Sequence, residues 1–341
     1  MPHPFHPGHR MHASFLALLD RFVSAATIRI AIIACVAVAG CRCSSDPKSK
    51  SSAAPSNAVD AASAALTGSF AGVWGSSGKD IWAVGEHGAM AHFDGKTWTA
   101  AESGTDKNLS AVSGSARDDV WAVGEEGTTL HFDGNAWSVA DQDSDLELLG
   151  VWSISKSEAW VAGIDDNVGL LRHYDGTKWD NIYISGANSL WKVWAAGPKD
   201  VWLVGSDNHG AGFVLRGDGL HFDRLPFDGN SLRGIWGASS DDVWVGSYDG
   251  DLYHWDGSAW SAAQSTPDGH FLGVWGTGAK DVWTVGFNGT ILHYDGTAWS
   301  PSPTSNSQIL WSVWGSAPDD VWTVGNAGTI LHWKGHEWSA P

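Results

Sequence analysis

The chain between residues 69 and 341 repeats one tryptophan-centred segment seven times. Successive central tryptophans are separated by 39, 39, 42, 42, 39 and 39 residues. A fixed period of about 40 residues is typical of repeat architectures, in which one small structural unit recurs along the chain. The tryptophans that define the period are Trp82, Trp121, Trp160, Trp202, Trp244, Trp283 and Trp322.

Each repeat contains four short runs rich in Val, Ile, Thr and aromatic residues, which predict β-strands. In the sixth repeat these runs begin at Leu272, Asp281, Thr290 and Ala298, and Gly, Asp, Asn or Ser residues separate them. Four antiparallel strands per unit and seven such units predict an all-β fold, a seven-bladed β-propeller of four-stranded antiparallel blades. We name the strands of each blade a to d, from the inside outward.

Each predicted blade is complete within one repeat, because the first repeat begins on strand a and the seventh ends on strand d. We therefore expect the ring to close by packing of blade 1 against blade 7, without exchange of a strand.

Nineteen of the 23 tryptophans fall at three repeat positions: the end of strand a, the middle of strand b and the start of strand d. Since a buried aromatic side chain covers roughly 150–250 Å², we interpret these tryptophans as packing between neighbouring blades.

Other residues also recur at fixed positions, and we interpret them as scaffold. An Asp-Gly pair follows strand c in six repeats and predicts a type I′ turn, in which both central residues have positive φ. An acidic residue begins strand b in all seven repeats, which predicts a turn cap. A histidine also recurs in strand c of six repeats, and Arg216 replaces it in the fourth. We expect these histidines to form a repeated structural hydrogen bond. These histidines are His92, His131, His173, His254, His293 and His332.

The repeat resembles that of a known class of propellers. The segment from Val282 to Trp299 resembles the repeat of photosystem II assembly-factor-like propellers. It is also similar to the Asp-box, or BNR, hairpin of sialidases and of many non-enzymatic propellers. The resemblance extends over all seven repeats, 273 of the 341 residues. It implies the propeller fold for residues 69–341 and leaves the binding partner open.

The first 68 residues predict export and lipid anchoring. An apolar run of 11 residues from Ile30 to Gly40 follows Arg21 and Arg29, and it is too short to span a bilayer. The run ends in Val-Ala-Gly directly before Cys41, which matches a bacterial lipobox. We therefore predict a lipoprotein signal peptide at residues 1–40 and a lipidated Cys41 that anchors the chain to the membrane. The Ser/Ala-rich composition up to residue 68 predicts a flexible tether for residues 41–68.

The residues around Cys41 also bear on location and redox state. Arg42, rather than Asp, follows the cysteine, which by resemblance to Gram-negative sorting predicts the outer membrane, facing the periplasm or the surface. Cys35 lies in the predicted signal peptide and Cys41 carries the lipid, so Cys43 is left without a partner for an intramolecular disulfide. Met1 and Met11 are both candidate start residues.

The charge of the repeats excludes one class of partner. The first 68 residues hold 6 of the 20 basic and 3 of the 38 acidic residues, which leaves 14 basic, 35 acidic and a net charge of −21 for residues 69–341. Nucleic acid is excluded as a partner, because its binding depends on basic side chains that neutralise its phosphates.

Four acidic residues alternate before the third repeat, but the Gly and Glu that complete an EF-hand loop are missing. We expect a solvated loop and no metal or cofactor, with calcium as the alternative; the residues are Asp141, Asp143, Asp145 and Glu147.

The repeats differ most in the loops between strands b and c and in the connections between blades, which we expect on one face. Functional residues concentrate on variable loops held by a rigid scaffold. The third and fourth repeats carry insertions in these loops, and exposed aromatic residues follow strand b in the fifth and sixth. Neutral variation of loop length is the alternative. The predicted binding residues are Asp165, Asp166, Asn167, Asp207, Asn208, His209, Tyr248 and Phe287.

The motifs predict binding rather than catalysis, and we predict no catalytic residues. The sequence contains no Gly-x-Ser-x-Gly motif, zinc ligand set or phosphate loop, and its five propeller arginines do not suggest the cluster that clamps a substrate carboxylate in sialidases. We predict a monomeric, non-enzymatic envelope lipoprotein that presents an acidic propeller face for protein binding or assembly. A glycan-binding propeller is the alternative. A glycoside hydrolase, which needs only two carboxylates, is the less favoured reading.

Overall fold

The protein is described by a computed structural model that covers residue 66, residues 68–266 and residues 269–341. The predicted signal peptide, Cys41 and almost all of the predicted tether lie outside the described residues. Within these ranges, 28 strands form seven separate four-stranded sheets in which the strand order follows the chain. The chain is therefore an all-β seven-bladed propeller, as predicted. None of the helices in the described ranges is long and apolar enough to cross a bilayer.

Each blade is an antiparallel meander of strands a, b, c and d, and each is built from one continuous segment. In chain order the strands are β1 (Phe70–Ser77), β2 (Asp80–Gly85), β3 (Met90–Phe93), β4 (Trp98–Ala100), β5 (Leu109–Ala116), β6 (Asp119–Gly124), β7 (Thr129–Phe132), β8 (Trp137–Asp141), β9 (Leu146–Ser155), β10 (Glu158–Asp165), β11 (Val168–Tyr174), β12 (Trp179–Ile184), β13 (Ser189–Gly197), β14 (Asp200–Ser206), β15 (Gly212–Gly217), β16 (Phe222–Leu225), β17 (Leu232–Ser239), β18 (Asp242–Ser247), β19 (Asp251–Trp255), β20 (Trp260–Ser265), β21 (Phe271–Gly278), β22 (Asp281–Gly286), β23 (Ile291–Tyr294), β24 (Trp299–Pro301), β25 (Leu310–Ala317), β26 (Asp320–Gly325), β27 (Ile330–Trp333) and β28 (Trp338–Ser339).

The a strands of all seven blades line a central channel, and the d strands form the rim. Strand b lies between them and is covered on both faces by neighbouring blades. Strands β6 and β22 are accordingly buried along their whole length. This double burial explains why strand b reads as a nearly continuous apolar run, Asp-Val-Trp-x-Val-Gly, rather than as an alternating one.

Tryptophans of strand b pack against strand d of the next blade, and this contact closes the ring. The rings of Trp82 in blade 1 and Trp137 in blade 2 cross nearly at right angles with centroids 5.2 Å apart. Trp322 in blade 7 makes the same contact with Trp98 in blade 1, at 5.6 Å, and also packs on Phe93 at 4.9 Å. Because blade 7 meets blade 1 through this packing and shares no strand with it, the predicted mode of closure is confirmed.

Tryptophans at the end of strand a make a different contact, closer to the channel. The ring of Trp314 in blade 7 lies over Gly75 in blade 1, where a Cβ atom would come within 2.7 Å of it. Trp74 covers Gly114 in the same way, so the following blade carries a glycine where each of these two rings lies. Blade 2 departs from this pattern because Ser113 stands at the tryptophan position. Its Oγ accepts a hydrogen bond from the backbone N–H of Ser153 in blade 3, at 3.2 Å.

The repeated histidines and acidic residues form one structural unit in each blade. The histidine of strand c stacks on the strand b tryptophan, with ring centroids 3.8–4.2 Å apart. Its Nε2 lies 2.6–3.0 Å from the carboxylate that begins strand b. In blade 4, Arg216 lies 4.7 Å from the ring of Trp202 and its Nε donates to Asp200 at 2.7 Å. The interpretation of the histidines as structural is confirmed.

The carboxylates of this unit are held in their charged form. Burial alone would raise the pKa of Asp119, Asp281 and Asp320. Hydrogen bonds from the strand c histidine and from a serine or threonine of the a–b turn outweigh burial, and the pKa of each of the three lies below its ordinary value. The residue predicted as a turn cap therefore ties the a–b turn to strand c through its two oxygens.

The Asp-Gly turns between strands c and d differ from the prediction. Gly95 has a φ of 92°, but Asp94 is not among the residues with positive φ, so the type I′ prediction is wrong. The physical reason is the aspartate side chain, whose Oδ1 accepts the backbone N–H groups of Lys96 and Thr97 at 2.9 Å each. These two bonds stabilise a longer loop of four residues between β3 and β4.

Candidate binding face at the channel mouth

The loops that vary between repeats lie together on one face of the ring. The start of strand a pairs with the end of strand b, as in Phe70 with Gly85 and Leu232 with Ser247. The b–c loops therefore lie beside the connections that lead into strand a. Gly88 in a b–c loop and Thr105 in the following connection are in contact. We call this surface, with the end of the channel that opens on it, the channel-mouth face.

The predicted binding residues of blade 3 form the tip of a hairpin on this face. Asp166 and Asn167 have φ angles of 49° and 71°, as a two-residue turn with positive φ at both positions requires. The turn connects the paired residues Asp165 and Val168. The carboxylate of Asp165 accepts a hydrogen bond from the hydroxyl of Tyr183, at 2.8 Å. The inserted residues thus extend strands b and c, and only the tip is exposed.

The predicted binding residues of blade 4 form a loop that holds itself together. The Oδ1 atom of Asp207 accepts the backbone N–H groups of His209 and Ala211, at 2.9 and 3.1 Å. The bond from His209 is the main cause that lowers the pKa of Asp207. Asn208 and His209 are exposed at the tip of the loop. Asp207 therefore bonds within its own loop and Asp165 bonds to strand d, and the exposed residues beside them remain available to a partner.

Blades 5 and 6 bring Tyr248 and Phe287 together. Their ring centroids are 5.7 Å apart and the rings are nearly perpendicular. His270, which the sequence analysis did not single out, packs between them with its ring 4.8 Å from each. Its Nδ1–H donates to the carbonyl oxygen of Tyr248. That bond fixes the ring orientation and leaves Nε2 as the other polar atom of the imidazole.

The cationic side chain of Arg233 extends this aromatic group toward blade 4. The guanidinium of Arg233 stacks 3.3 Å from the ring centroid of Trp191 and lies 5.3 Å from that of Tyr248. Burial lowers the pKa of Arg233 to about 9, so the side chain stays charged near neutral pH. Neither Arg233 Nε nor Trp191 Nε1 has a hydrogen-bond partner among the described residues, although both atoms are buried. The residues of this group, which we call the aromatic arc, are Trp191, Arg233, Tyr248, His270 and Phe287.

The same face is acidic across blades 1 to 3. Burial, and secondarily the charge of Glu125, raises the pKa of Glu147 to about 7. The Oε1 atom of Glu147 is buried without a partner in the described ranges. Glu125 accepts a hydrogen bond from the amide of Asn108 at 3.0 Å. We call this group the acidic arc; its residues are Glu86, Glu125, Glu126 and Glu147.

The alternating acidic residues before blade 3 do not converge on one point. Asp141 pairs with Arg172, with 2.5 Å between its Oδ2 and Nη2. Asp143 and Glu147 lie at opposite ends of the turn that leads into β9. In the part of the chain that the structure describes, no group of three or more His, Cys, Asp or Glu side chains could hold a metal ion.

At the centre of the face, the seven a strands enclose a cavity of about 190 Å³. Its walls are glycine, small residues, valine and tryptophan, apart from one lysine in blade 4. Lys192 is the one charged side chain among the described residues that line it. The aromatic arc adjoins this channel, because Trp191 and Arg233 each directly precede a residue of the channel wall in sequence.

Comparison with known proteins supports the fold. No protein-family model matches the chain, and no curated protein matches it. Solved structures do: YCF48 from Cyanidioschyzon merolae is 17% identical, with a TM-score of 0.63 over 78% of this chain and 96% of that one. A structure of YCF48 bound to D1 peptide is 18% identical, with a TM-score of 0.63 over 78% and 92% of the two chains.

The fold is shared with propellers of varied function. The WD40 propeller domain of Doa1 is 10% identical, with a TM-score of 0.65 over 80% of this chain and 94% of that domain. A catalytically inactive virginiamycin B lyase from Staphylococcus aureus, with quinupristin, is 12% identical, with a TM-score of 0.61 over 78% and 94%. At these identities the likeness shows the propeller fold alone, so function has to be argued from this chain's own surface.

Proposed function

We propose that this chain is a non-enzymatic, protein-binding propeller that contacts its partner through the channel-mouth face. The observation that carries the proposal is the aromatic arc. It places Trp, Tyr, Phe and Arg side chains side by side on the face where the repeats differ. Tryptophan, tyrosine and arginine are the residue types enriched where protein interfaces gain most of their binding energy. YCF48, which shares the fold, is bound to D1 peptide in one solved structure, an arrangement compatible with this proposal.

The repeated polar residues support binding rather than catalysis. The carboxylates that begin strand b and the histidines of strand c are engaged with each other in six blades. These groups hold the blades together, so they are not free to act on a substrate. The packing of Tyr248 with Phe287 and His270 also uses ring surface that a sugar would need for stacking, and it favours a protein over a glycan.

The predicted leader supports a location in the bacterial envelope for this activity. A lipid on Cys41 and the tether to residue 68 would hold the propeller near the outer membrane as a monomer. The acidic arc and the exposed tips of the blade 3 and blade 4 loops would then flank the bound partner. The net charge of −21 in residues 69–341 favours a partner that meets those loops with basic groups.

A crosslinking capture experiment tests this proposal. The full-length chain would be crosslinked in envelope extract, and wild type compared with the double variant Tyr248→Ala and Phe287→Ala. We expect capture of the specific partner to fall at least about tenfold, as loss of interface hot spots does. Leu220→Ala is the control, because Leu220 is 75% exposed in the c–d turn of blade 4, on the opposite face.

The outcomes separate the candidate functions. Unchanged capture by the double variant would contradict the proposal. Capture that weakens as salt rises supports charge-assisted protein binding, because exposed charges are screened at high ionic strength. Capture of glycan that is insensitive to salt would favour the lectin-like alternative. Hydrolysis of a glycoside that one Asp→Asn substitution abolishes would overturn the non-enzymatic assignment.

A further inference from the structure

Lys192 stands at a channel position where the other six blades have small residues. Lys192 pairs with Val204 across β13 and β14, just as Gly72 pairs with Val84 across β1 and β2. A glycine, alanine or serine leaves the channel open at this level, whereas the lysine places an ammonium group in it. The equivalent residues of the other blades are Gly72, Ala111, Gly150, Gly234, Gly273 and Ser312.

The ammonium group of Lys192 has little to neutralise it. Its Nζ donates to the carbonyl oxygen of Leu149 at 3.1 Å, and no carboxylate among the described residues forms an ion pair with it. An ammonium group has three donors, so this bond leaves two for another acceptor. The side chain is mostly buried: one side faces the channel, and protein surrounds it on the others. That burial lowers the pKa of Lys192 to about 8, which leaves most of the population charged at neutral pH.

A second cation without an acidic partner lies at the entrance to the same channel. Arg233 precedes Gly234, the blade 5 equivalent of Lys192, and is held flat against Trp191. No carboxylate forms an ion pair with it in the described ranges, and its Nε is buried without a partner. Buried charges without compensation are costly, and these two occur in a chain of net charge −18. An anionic ligand group would offset that cost.

We propose that the channel mouth binds a carboxylate of a peptide partner, with Lys192 as the anchor inside the channel and Arg233 at its entrance. This inference rests on the proposed function and adds the chemistry of the group recognised. A cavity of about 190 Å³ admits a carboxylate on a short stem and excludes a folded domain. The planar guanidinium of Arg233 matches a carboxylate in shape.

Peptide pools of defined chemistry test the proposal on the immobilised full-length chain. All pools are N-acetylated pentapeptides of randomised neutral residues, ending in a free carboxylate or in an amide. A third pool ends in an amide and carries one central Asp. We expect the chain to retain the free-carboxylate pool at least about tenfold more than the amide pool, as for a hydrogen bond to a charged group. Preferential retention of the Asp pool instead would identify a side-chain carboxylate as the group bound.

Matched variants assign the effect to the channel. Lys192→Gly introduces the residue that blades 1, 3, 5 and 6 carry, and we expect it to remove the tenfold preference while the melting temperature stays near that of wild type. Lys192→Met, which keeps the apolar stem, serves the same purpose if the glycine variant is unstable. Lys199→Ala, in the exposed a–b turn of the same blade, should behave as wild type.

Two results would overturn the carboxylate assignment. One is equal retention of both carboxylate pools and the amide pool by wild type, and the other is an undiminished preference in both Lys192 variants. Either result leaves capture of the partner through Tyr248 and Phe287 untouched, so it does not bear on the proposed function. A different result would contradict the proposed function: capture of the partner by the double variant Tyr248→Ala and Phe287→Ala at the wild-type level.

Discussion

The acidic arc and the aromatic arc occupy equivalent backbone positions on the two sides of one ring. Glu86 and Glu125 begin the b–c loops of blades 1 and 2, where Tyr248 and Phe287 begin those of blades 5 and 6. The backbone N–H of each bonds to a carbonyl just before strand a, at 2.8–3.1 Å. Glu147, near the start of β9, takes the register position that His270 takes just before β21, because Leu148 pairs with Gly163 as Phe271 pairs with Gly286. At these matched positions the scaffold holds the two arcs alike, and the difference lies in the side chains; Trp191 and Arg233 add to the aromatic arc from strand a.

This comparison teaches that the repeat separates stability from recognition. The Trp–His–carboxylate unit is present on both sides of the ring. On the acidic side, the replaced positions bring carboxylates together, and burial, with the charge of Glu125 as the second cause, raises the pKa of Glu147. On the aromatic side, the same positions bury rings around a guanidinium. A change to the shared scaffold should affect both arcs, whereas a change to one arc should leave the other intact.

The largest effect is expected from a change to the shared scaffold. Trp322→Ala removes a fully buried ring from the contact between blades 7 and 1, and its Nε1 bond to Asp320. We expect a loss of about 3–5 kcal/mol in the free energy of unfolding, as for other buried tryptophans. Urea denaturation followed by fluorescence measures it. Wild-type stability in this variant would show that the ring does not depend on packing at its seam.

The next effect is confined to the acidic arc. Because the folded pKa of Glu147 is about 7 against an ordinary value of 4.5, its ionisation destabilises the fold as pH rises between these values. We expect Glu147→Gln to remove a loss of at most about 3 kcal/mol over this range. Unfolding free energies measured at pH 4.5, 6 and 7.5 test this. Glu102→Gln, an exposed control, should keep the wild-type profile, and a profile in Glu147→Gln identical to wild type would contradict the expectation.

A swap between the arcs gives a smaller effect, and on binding rather than folding. Tyr248→Glu places on blade 5 the residue that begins the b–c loop of blades 1 and 2. We expect affinity for the captured partner to fall about tenfold or more, since the contact with Arg233 and Phe287 is lost. The reciprocal variant Glu86→Tyr should lose much less affinity, because it removes one charge at the flank of the bound partner. Calorimetry on both variants measures the difference, and equal losses would show that the arcs act as one surface.

The smallest effect tests whether the two sides share their scaffold. Arg216→His restores in blade 4 the residue of the other six blades, above Trp202 and beside Asp200. We expect the melting temperature to change by no more than about 4 °C, equivalent to about 1 kcal/mol or less. Arg216→Ala, which leaves Asp200 without this partner, should cost more. A histidine variant as unstable as the alanine variant would mean that the blade 4 unit is not equivalent.

Repetition explains what the sequence predicted well. Seven copies reveal which residues a blade requires, so the strands, the ring closure and the structural role of the histidines followed from comparison within one chain. That the histidines bond to the carboxylates of strand b was not predicted. The Asp-Gly turn was wrong because its conformation depends on local bonds to the Asp94 carboxylate, which the strand pattern does not contain.

The candidate site was harder to predict because it depends on contacts between blades. Tyr248 and Phe287 were predicted from their place in the loops, but Trp191, Arg233 and His270 were not. The available signal was that Trp191 falls outside the three tryptophan positions of the repeat. That Arg233 stacks on it could not be read from the sequence, since 42 residues separate them and only the ring geometry brings their strands together.

The exchange of tryptophan for Ser113 in blade 2 has a mechanical consequence. At this level most blades place a tryptophan ring over a glycine or alanine of the next blade. Blade 2 instead meets blade 3 through hydrogen bonds from the backbone N–H of Ser153 to Ser113 and from the Ser153 hydroxyl to Asp119. Glu147 adds an ionisable group beside the same link. We expect the propeller to open first here, not at the seam between its first and last blades. Amide hydrogens of β5 and β9 would then exchange with solvent sooner than those of β1 and β25. One interface that opens more readily than the others would give the ring a preferred direction of deformation, and the single residue Ser113 would determine it.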